Sequence, residues 1–144
     1  MSQENVELHR RTAALFNGRD IEGTIALSDP RIELHALPAP RGSVYRGHDG
    51  LREWHRDLEE AWEVISVEPW AYFDLGERTA AFNLLHARGR QSGAEVTMHS
   101  ASVVQWRDGL AIYTKVYPTW EDALTDLGIS AEALSTEQDA HADS

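Results

Sequence analysis

Histidine is the residue type in this sequence with the widest range of chemistry, and the chain contains seven of them. No two histidines stand at HxH, HxxxH or HExxH spacing, so neither one helix turn nor one strand presents two imidazoles to a metal ion. The chain has no cysteine, which excludes thiolate ligands, thiol nucleophiles and disulfides. The sequence therefore predicts no metal site. The histidines are His9, His35, His48, His55, His86, His99 and His141.

General acid–base catalysis is the chemistry that remains. No GxSxG motif occurs and no glycine-rich phosphate loop follows a predicted strand, so we expect no serine nucleophile and no cofactor. His35 closes the first predicted strand, directly before the proline-rich loop 37–42. An imidazole titrates close to neutral pH, as proton transfer requires. His35 is therefore the candidate base, and the alternative is a partly exposed histidine that shares a strand face with Glu33.

Aromatic side chains and two serines could shape a binding pocket. Trp54, Leu58 and Trp62 fall on one stripe of a predicted helix, where they must contact the sheet. Ser100 and Ser102 interrupt an apolar row on a predicted strand, which is typical of a pocket lining with a few hydrogen-bonding groups. On the strand before it, two sets compete for the inner face: Phe82, Leu84 and His86, or Ala81, Asn83 and Leu85.

The elements that must position these residues follow from periodicity and turn residues. Apolar residues at helical spacing predict helices over 3–17, over 20–27 and after a cap at Asp49, the last with the strongest apolar stripe. Alternation predicts the strands, and Asp108-Gly109 predicts a hairpin turn. The predicted strands cover 31–36, 64–75, 78–89, 94–107 and 110–117, and a final helix covers 119–127.

Helices first and an antiparallel meander after is the α+β pattern, in which helices cover one face of a curved sheet. A chain of 144 residues fits one domain, and no linker or repeat divides it. We expect a single domain over residues 1–134. Residues 135–144 lack large apolar side chains, and their composition predicts a disordered tail.

The charge balance argues against some partners. The formal net charge is −11, whereas phosphate backbones and anionic membranes attract clustered Lys and Arg. We therefore expect no nucleic-acid partner and no membrane partner. No apolar stretch approaches the roughly 20 residues of a membrane span, and no secretory leader pattern is visible. These features favour a cytoplasmic protein.

Four short segments, in their order along the chain, carry a resemblance to a known superfamily. They are Phe16-Asn17-Gly18-Arg19-Asp20, Ile32-Glu33-Leu34-His35, Tyr45 to Arg52, and Trp106 to Leu110. The arrangement resembles the nuclear-transport-factor-2-like superfamily and, within it, the SnoaL-like branch of polyketide cyclases and steroid-isomerase relatives. The resemblance implies an α+β cone: a curved antiparallel sheet covered by N-terminal helices, with an internal pocket and a short C-terminal helix.

The resemblance also implies positions for the site. The general base of the steroid isomerases ends the first strand, which places it at His35, or at Leu34 if the gap moves by one residue. Their oxyanion-donating tyrosine corresponds to Thr12 and their protonated carboxylic acid to about Ser102, so hydroxyls stand where stronger acids are expected. Tyr117 is a further candidate donor. The predicted lining is Thr12, Phe16, Trp54, Leu58, Trp62, Asn83, Ser100, Ser102 and Tyr117.

Two classes of function remain open from the sequence. The first is cofactor-free acid–base chemistry, of isomerase, cyclase or hydrolase type, on a small and largely apolar organic molecule. The second is a non-catalytic carrier of such a molecule, or a dimerising interaction module of the same fold. The resemblance, together with the aromatic residues on the strand 64–75, also predicts a homodimer through the open face of the sheet.

Overall fold

A computed structural model describes residues 2–36 and 44–130 of the chain. The predicted loop at 37–42 and the predicted tail at 135–144 lie outside the described residues. In the described part, no helix combines the length and the apolar character that a membrane span needs. The elements there are α1 (Ser2–Asn17), α2 (Ile21–Ala26), β1 (Ser28–His35), β2 (Val44–Arg46), α3 (Gly47–Ala61), β3 (Trp62–Leu75), β4 (Arg78–Gly89), β5 (Glu95–Arg107), β6 (Leu110–Tyr117) and α4 (Trp120–Leu127).

The strands form one six-stranded sheet in the order β2-β1-β6-β5-β4-β3, which confirms the predicted α+β class. β1 runs parallel to β6, and the other neighbours are antiparallel. Asp108 and Gly109 both have positive φ, as a two-residue hairpin between β5 and β6 requires. A register shift between Pro69 and Ala71 marks a bulge in β3, and bulges bend the strand that carries them. The sheet is therefore curved and does not close.

The two faces of the sheet have different covers. On the inner face, Ile32 and Leu34 of β1 pack with Leu51 of α3. On the outer face, Phe73 and Phe82 pack beneath α4. Because Phe82 points outward, the alternative left open for β4 is settled. The inward-facing residues of β4 include Ala81, Asn83 and Leu85.

The start and the end of α3 differ from the prediction. Asp49 does not cap this helix: the N-cap is Arg46, with no side-chain hydrogen bond, and Asp49 lies in the first turn. The reason is β2, an unpredicted short strand that leads into α3 through Gly47 at φ 69°. A carboxylate in the first turn still favours the positive end of the helix dipole. At the other end α3 stops at Ala61, and Trp62 begins β3.

Candidate functional site

A cavity of about 160 Å³ lies between the inner face of the sheet and the helices α1 and α3. Its wall is mainly apolar, with Leu51, Trp54 and Leu58 from α3 opposite the sheet. Among the described residues that line it there is no Asp, Glu, Lys or Arg. The polar side chains at the cavity belong to His9, Thr12, Thr24, Ser28, Tyr72, Asn83, Ser100, Ser102 and Thr114.

His9 is a buried titratable group at this cavity. It lies on α1, is 3% exposed, and its ring meets the Tyr72 ring edge-on at 5.5 Å. Its Nδ1 lies 2.7 Å from Thr79 Oγ1, and its Nε2 lies 2.9 Å from Ser102 Oγ. Burial lowers the pKa of His9 to about 3, because the surroundings disfavour the imidazolium form. His9 is therefore neutral at physiological pH.

Hydrogen bonds connect His9 to the centre of the sheet. Trp106 of β5 donates from Nε1 to Thr79 Oγ1 of β4 at 2.9 Å. Thr79 in turn contacts His9, and His9 contacts Ser102 of β5. We call Trp106, Thr79, His9 and Ser102 the His9 network. It gives the cavity a polar end without a formal charge.

Asn83 and Ser100 form a second polar feature of the inner face. They are register partners on β4 and β5, and each is 5% exposed. In the described part of the chain, neither side chain has a hydrogen-bond partner. Both side chains line the cavity, so their polar groups can still form hydrogen bonds with water or another molecule there. Trp120 Nε1 of α4 donates to the backbone carbonyl of Ser100 at 3.0 Å and braces the sheet at this point.

The stacked rings of Phe16 and Trp54 form part of the cavity wall, with centroids 5.8 Å apart. Both rings also border a smaller depression that contains Arg19, Asp20 and His55, which we call the side niche. The stacked pair is therefore part of the wall that lies between the cavity and these charged side chains.

The structure brings part of the predicted lining together and leaves two residues outside. Trp62 packs instead in an adjacent apolar cluster, because α3 has already ended, and its Nε1 is buried without a partner among residues 2–36 and 44–130. Tyr117 faces outward, because Val116 takes the inner face of β6. The predicted lining residues that do reach the cavity are Thr12, Phe16, Trp54, Leu58, Asn83, Ser100 and Ser102.

Tyr117 has a structural partner on the outer face. Its hydroxyl donates to Asp126 Oδ2 of α4 at 2.5 Å. Burial and this hydrogen bond raise the pKa of Tyr117, and the same bond lowers the pKa of Asp126. Tyr117 therefore anchors α4 and does not meet the cavity.

His35 also lies on the outer face. The alternation of β1 turns Leu34 into the cavity, and the His35 ring lies instead 4.9 Å from the ring of Tyr113. Its Nε2 is 3.4 Å from Glu33 Oε1. Of the two positions that the resemblance allows for a base, the structure brings only Leu34 to the cavity, and leucine cannot accept a proton.

Other histidines lie away from the cavity on the outer face. His86 Nε2 lies 3.1 Å from Glu68 Oε1, and the His99 ring stacks on Trp120 with centroids 4.3 Å apart. Within the described ranges, no three His, Asp or Glu side chains group as ligands of one metal ion would.

Sequence reasoning did not single out His9 or Thr79. The signal that could have identified His9 is the spacing of Val6, His9, Ala13 and Phe16, which places all four on one helix face. Val6 and His9 are both buried, and Ala13 and Phe16 reach the cavity. Thr79 carries no comparable signal, since it is a single threonine at the start of a strand.

Comparison with known proteins gives a consistent result. A family model described as a SnoaL-like domain matches residues 9–114. A search of curated proteins finds no match. Solved structures with similar folds include an NTF2-like protein from Burkholderia pseudomallei, which is 19% identical with a TM-score of 0.73 and covers 85% of this chain and 95% of the other.

Two further solved structures of similar fold were obtained with small molecules. TerC, co-crystallised with polyporic acid, is 22% identical with a TM-score of 0.70, covering 86% of this chain and 97% of TerC. A protein with a ketosteroid-isomerase-like fold from Catenulispora acidiphila, in complex with trimethylamine, is 15% identical with a TM-score of 0.70, covering 88% of this chain and 95% of the other. At these identities the likeness shows the fold alone.

Proposed function

We propose that this chain, which belongs to the SnoaL-like domain family, binds a small, uncharged and largely apolar organic molecule in its cavity. The observation that carries the proposal is a space of about 160 Å³ with a mostly apolar wall and no charged side chain in its described lining. Apolar cavities of about this size in other proteins take up benzene-sized molecules. A charged guest would lose its hydration without gaining a counter-charge, which is costly.

The solved structures of similar fold support a small-molecule role. TerC was crystallised with polyporic acid, and the Catenulispora protein with trimethylamine. Proteins of this fold have thus been crystallised with small molecules of different chemistry. The described lining of the present cavity is neutral, and this feature of its own residues determines the guest that we propose.

Turnover of the guest is the second candidate function, and the contact of 2.9 Å between His9 Nε2 and Ser102 Oγ is the observation that favours it. A neutral imidazole next to a hydroxyl can relay a proton without a cofactor. Binding remains the preferred proposal because no carboxylate in the described lining supports His9. Once a guest is identified, its conversion by the wild type but not by His9→Gln would favour turnover.

The binding proposal can be tested with two neighbouring positions of α1. Ala13 lines the cavity, whereas Ala14 is exposed on the same helix. Leucine is a good helix former at both positions, so Ala13→Leu fills the cavity and Ala14→Leu is the matched control. We expect mass spectrometry to find a small organic molecule co-purifying with the wild type and with Ala14→Leu, and little of it with Ala13→Leu. Equal recovery from both variants would contradict the proposal.

We propose as well that two copies of the chain pair through the outer face near the edge strand β3. Val64 and Trp70 of this strand are 43% and 50% exposed, and Trp70 stacks on Trp120 at 4.9 Å. Exposed apolar side chains on an edge strand favour association with another copy. Sedimentation velocity should show a dimer at tens of micromolar and more monomer for Trp70→Ser. A wild-type monomer at that concentration would rule out this pairing.

A further inference from the structure

We propose that the His9 network makes Ser102 a hydrogen-bond donor to the bound molecule, so that the cavity selects uncharged guests with an oxygen acceptor, such as a ketone, at one edge. This inference rests on the proposed function, because it requires a guest in the cavity. It assigns the donor and the acceptor of each hydrogen bond in the His9 network, and it names the chemical class of the guest. The directions follow from which atoms can donate and which can accept.

The direction of the hydrogen bond between Trp106 and Thr79 is fixed by the chemistry of the indole. An indole Nε1 carries a hydrogen and cannot accept one, so Trp106 donates to Thr79 Oγ1 at 2.9 Å. Trp106 is 3% exposed and Thr79 is 0% exposed, so water does not compete for this bond. Thr79 thus receives one hydrogen bond, and its own hydroxyl hydrogen needs an acceptor elsewhere.

His9 is that acceptor. Among the described residues, the Thr79 hydroxyl is bonded to Trp106 and to His9 Nδ1, and of these two only the imidazole can accept. If Nδ1 carried the hydrogen instead, the Thr79 hydroxyl hydrogen would be buried without a partner, which folded proteins avoid. Nδ1 is therefore the bare nitrogen, and the neutral imidazole of His9 carries its hydrogen on Nε2.

Ser102 accepts a hydrogen bond from His9, which leaves its own hydroxyl hydrogen free to be donated. Nε2 of His9 donates to Ser102 Oγ at 2.9 Å. Ser102 lines the cavity, and in the described part of the chain its own hydroxyl hydrogen has no acceptor. Hydrogen bonds arranged in series polarise one another, which strengthens the last donor. Ser102 therefore offers an O–H group to the molecule in the cavity.

Asn83 and Ser100 extend the same edge of the cavity. Both are 5% exposed and unpartnered among the residues that the structure describes, and Ser100 lies two residues from Ser102 on β5. The Asn83 amide adds two more N–H donors. Opposite them, α3 presents Leu51 and Trp54. A fitting guest thus turns an acceptor oxygen toward β4 and β5 and an apolar body toward α3.

The tautomer of His9 can be measured without any guest. The 15N chemical shifts of the ring nitrogens distinguish a protonated from a bare nitrogen, and His9→Gln assigns the signals by removing them. At pH 7 we expect a protonated Nε2 and a bare Nδ1. A hydrogen on Nδ1, or a doubly protonated ring, would overturn this inference and would leave the proposed function standing.

The choice of guest is tested with two probes of nearly equal shape. Acetophenone has an oxygen where α-methylstyrene has a CH₂ group. Because the alkene is the more hydrophobic probe, the informative quantity is the ratio of the two affinities and its change on substitution. We expect Ser102→Ala to reduce the preference for acetophenone about three- to tenfold, the worth of one neutral hydrogen bond. Ser66→Ala, on the outer face of β3, is the control and should not change the ratio.

The outcomes separate the two proposals. If neither probe binds the wild type in an NMR titration, the proposed function fails and this inference fails with it. If both probes bind and Ser102→Ala leaves their ratio unchanged, the cavity binds small molecules but Ser102 does not select them. A ratio that falls in Ser102→Ala and not in Ser66→Ala supports the inference.

Discussion

Acidification from pH 7 to pH 5 should lower the free energy of unfolding by about 2 kcal/mol through His9 alone. Burial lowers the pKa of His9 from 6.5 to about 3 in the folded protein. Between these two values the unfolded chain binds one more proton than the folded protein, so stability is lost as the pH falls. Each pH unit below 6.5 costs about 1.4 kcal/mol, and the loss continues toward pH 3. Above about pH 8, His9 contributes almost no pH dependence.

The assay is urea denaturation followed by far-UV circular dichroism at pH 7 and at pH 5. Other groups that titrate also contribute, so His9→Gln is compared with the wild type and only the difference is interpreted. Glutamine keeps a donor and an acceptor but does not titrate. His86→Gln, at an outer-face histidine, is the matched control and should retain the wild-type loss. Tyr72, in contact with the His9 ring, has a raised pKa and stays uncharged in this range.

The reasoning is refuted if His9→Gln loses as much stability between pH 7 and pH 5 as the wild type. A direct check needs no variant, because NMR should show the His9 ring still neutral in the folded protein at pH 5. A ring that is half protonated near pH 6 would mean that water reaches it. In that case the His9 network would not be the dry polar end that its 3% exposure indicates.

Two further substitutions separate the cavity from the rest of the fold. Trp54→Ala should join the cavity to the side niche, so that 2-acetylnaphthalene binds to the variant and not to the wild type in an NMR titration. Because Trp54 is only partly buried, the substitution should lower the free energy of unfolding by no more than about 3 kcal/mol. If the variant also fails to bind 2-acetylnaphthalene, the rings are not the barrier. Tyr117→Phe removes the hydrogen bond to Asp126 and should lower the free energy of unfolding by about 1–2 kcal/mol. The affinity for acetophenone should not change. A large loss of affinity would instead place Tyr117 at the site.

The architecture could be predicted because its signals are local. The apolar stripe of α3 and the Asp108-Gly109 turn each depend on a few neighbouring residues, and both appear in the structure. The inner face of β4 could not be predicted, because both of its faces are largely apolar. Phe82 packs beneath α4 while Ala81 lines the cavity, and a period of two cannot tell one apolar face from another.

The position of α3 depended on an element that is almost invisible in sequence. β2 has three residues, too few for an alternating pattern, yet it determines where the helix begins. The end of α1 is a similar case: glycine is the residue type that most often takes the left-handed conformation there, but Gly18 does not take it, and Arg19 does at φ 56°. The chain can turn at either residue, and the hydrogen bonds of the folded protein decide between them.

Sequence patterns could predict site residues that share one helix or strand, but not contacts between residues on different elements. His9 lies on α1 and its partners lie on strands of the sheet, 70 residues away at Thr79 and 93 at Ser102, so only the packing of the helix on the sheet brings them together. The side-chain period of a strand also explains His35: it could face inward only if Leu34 faced outward, which would remove buried apolar surface from β1. The cavity therefore has leucine where the isomerase resemblance requires a base, and Ser102, backed by a neutral His9, where it requires an acid. Leu34 brings no titratable group into the cavity and Ser102 is a neutral donor, so neither position carries a charge, as an uncharged guest would require.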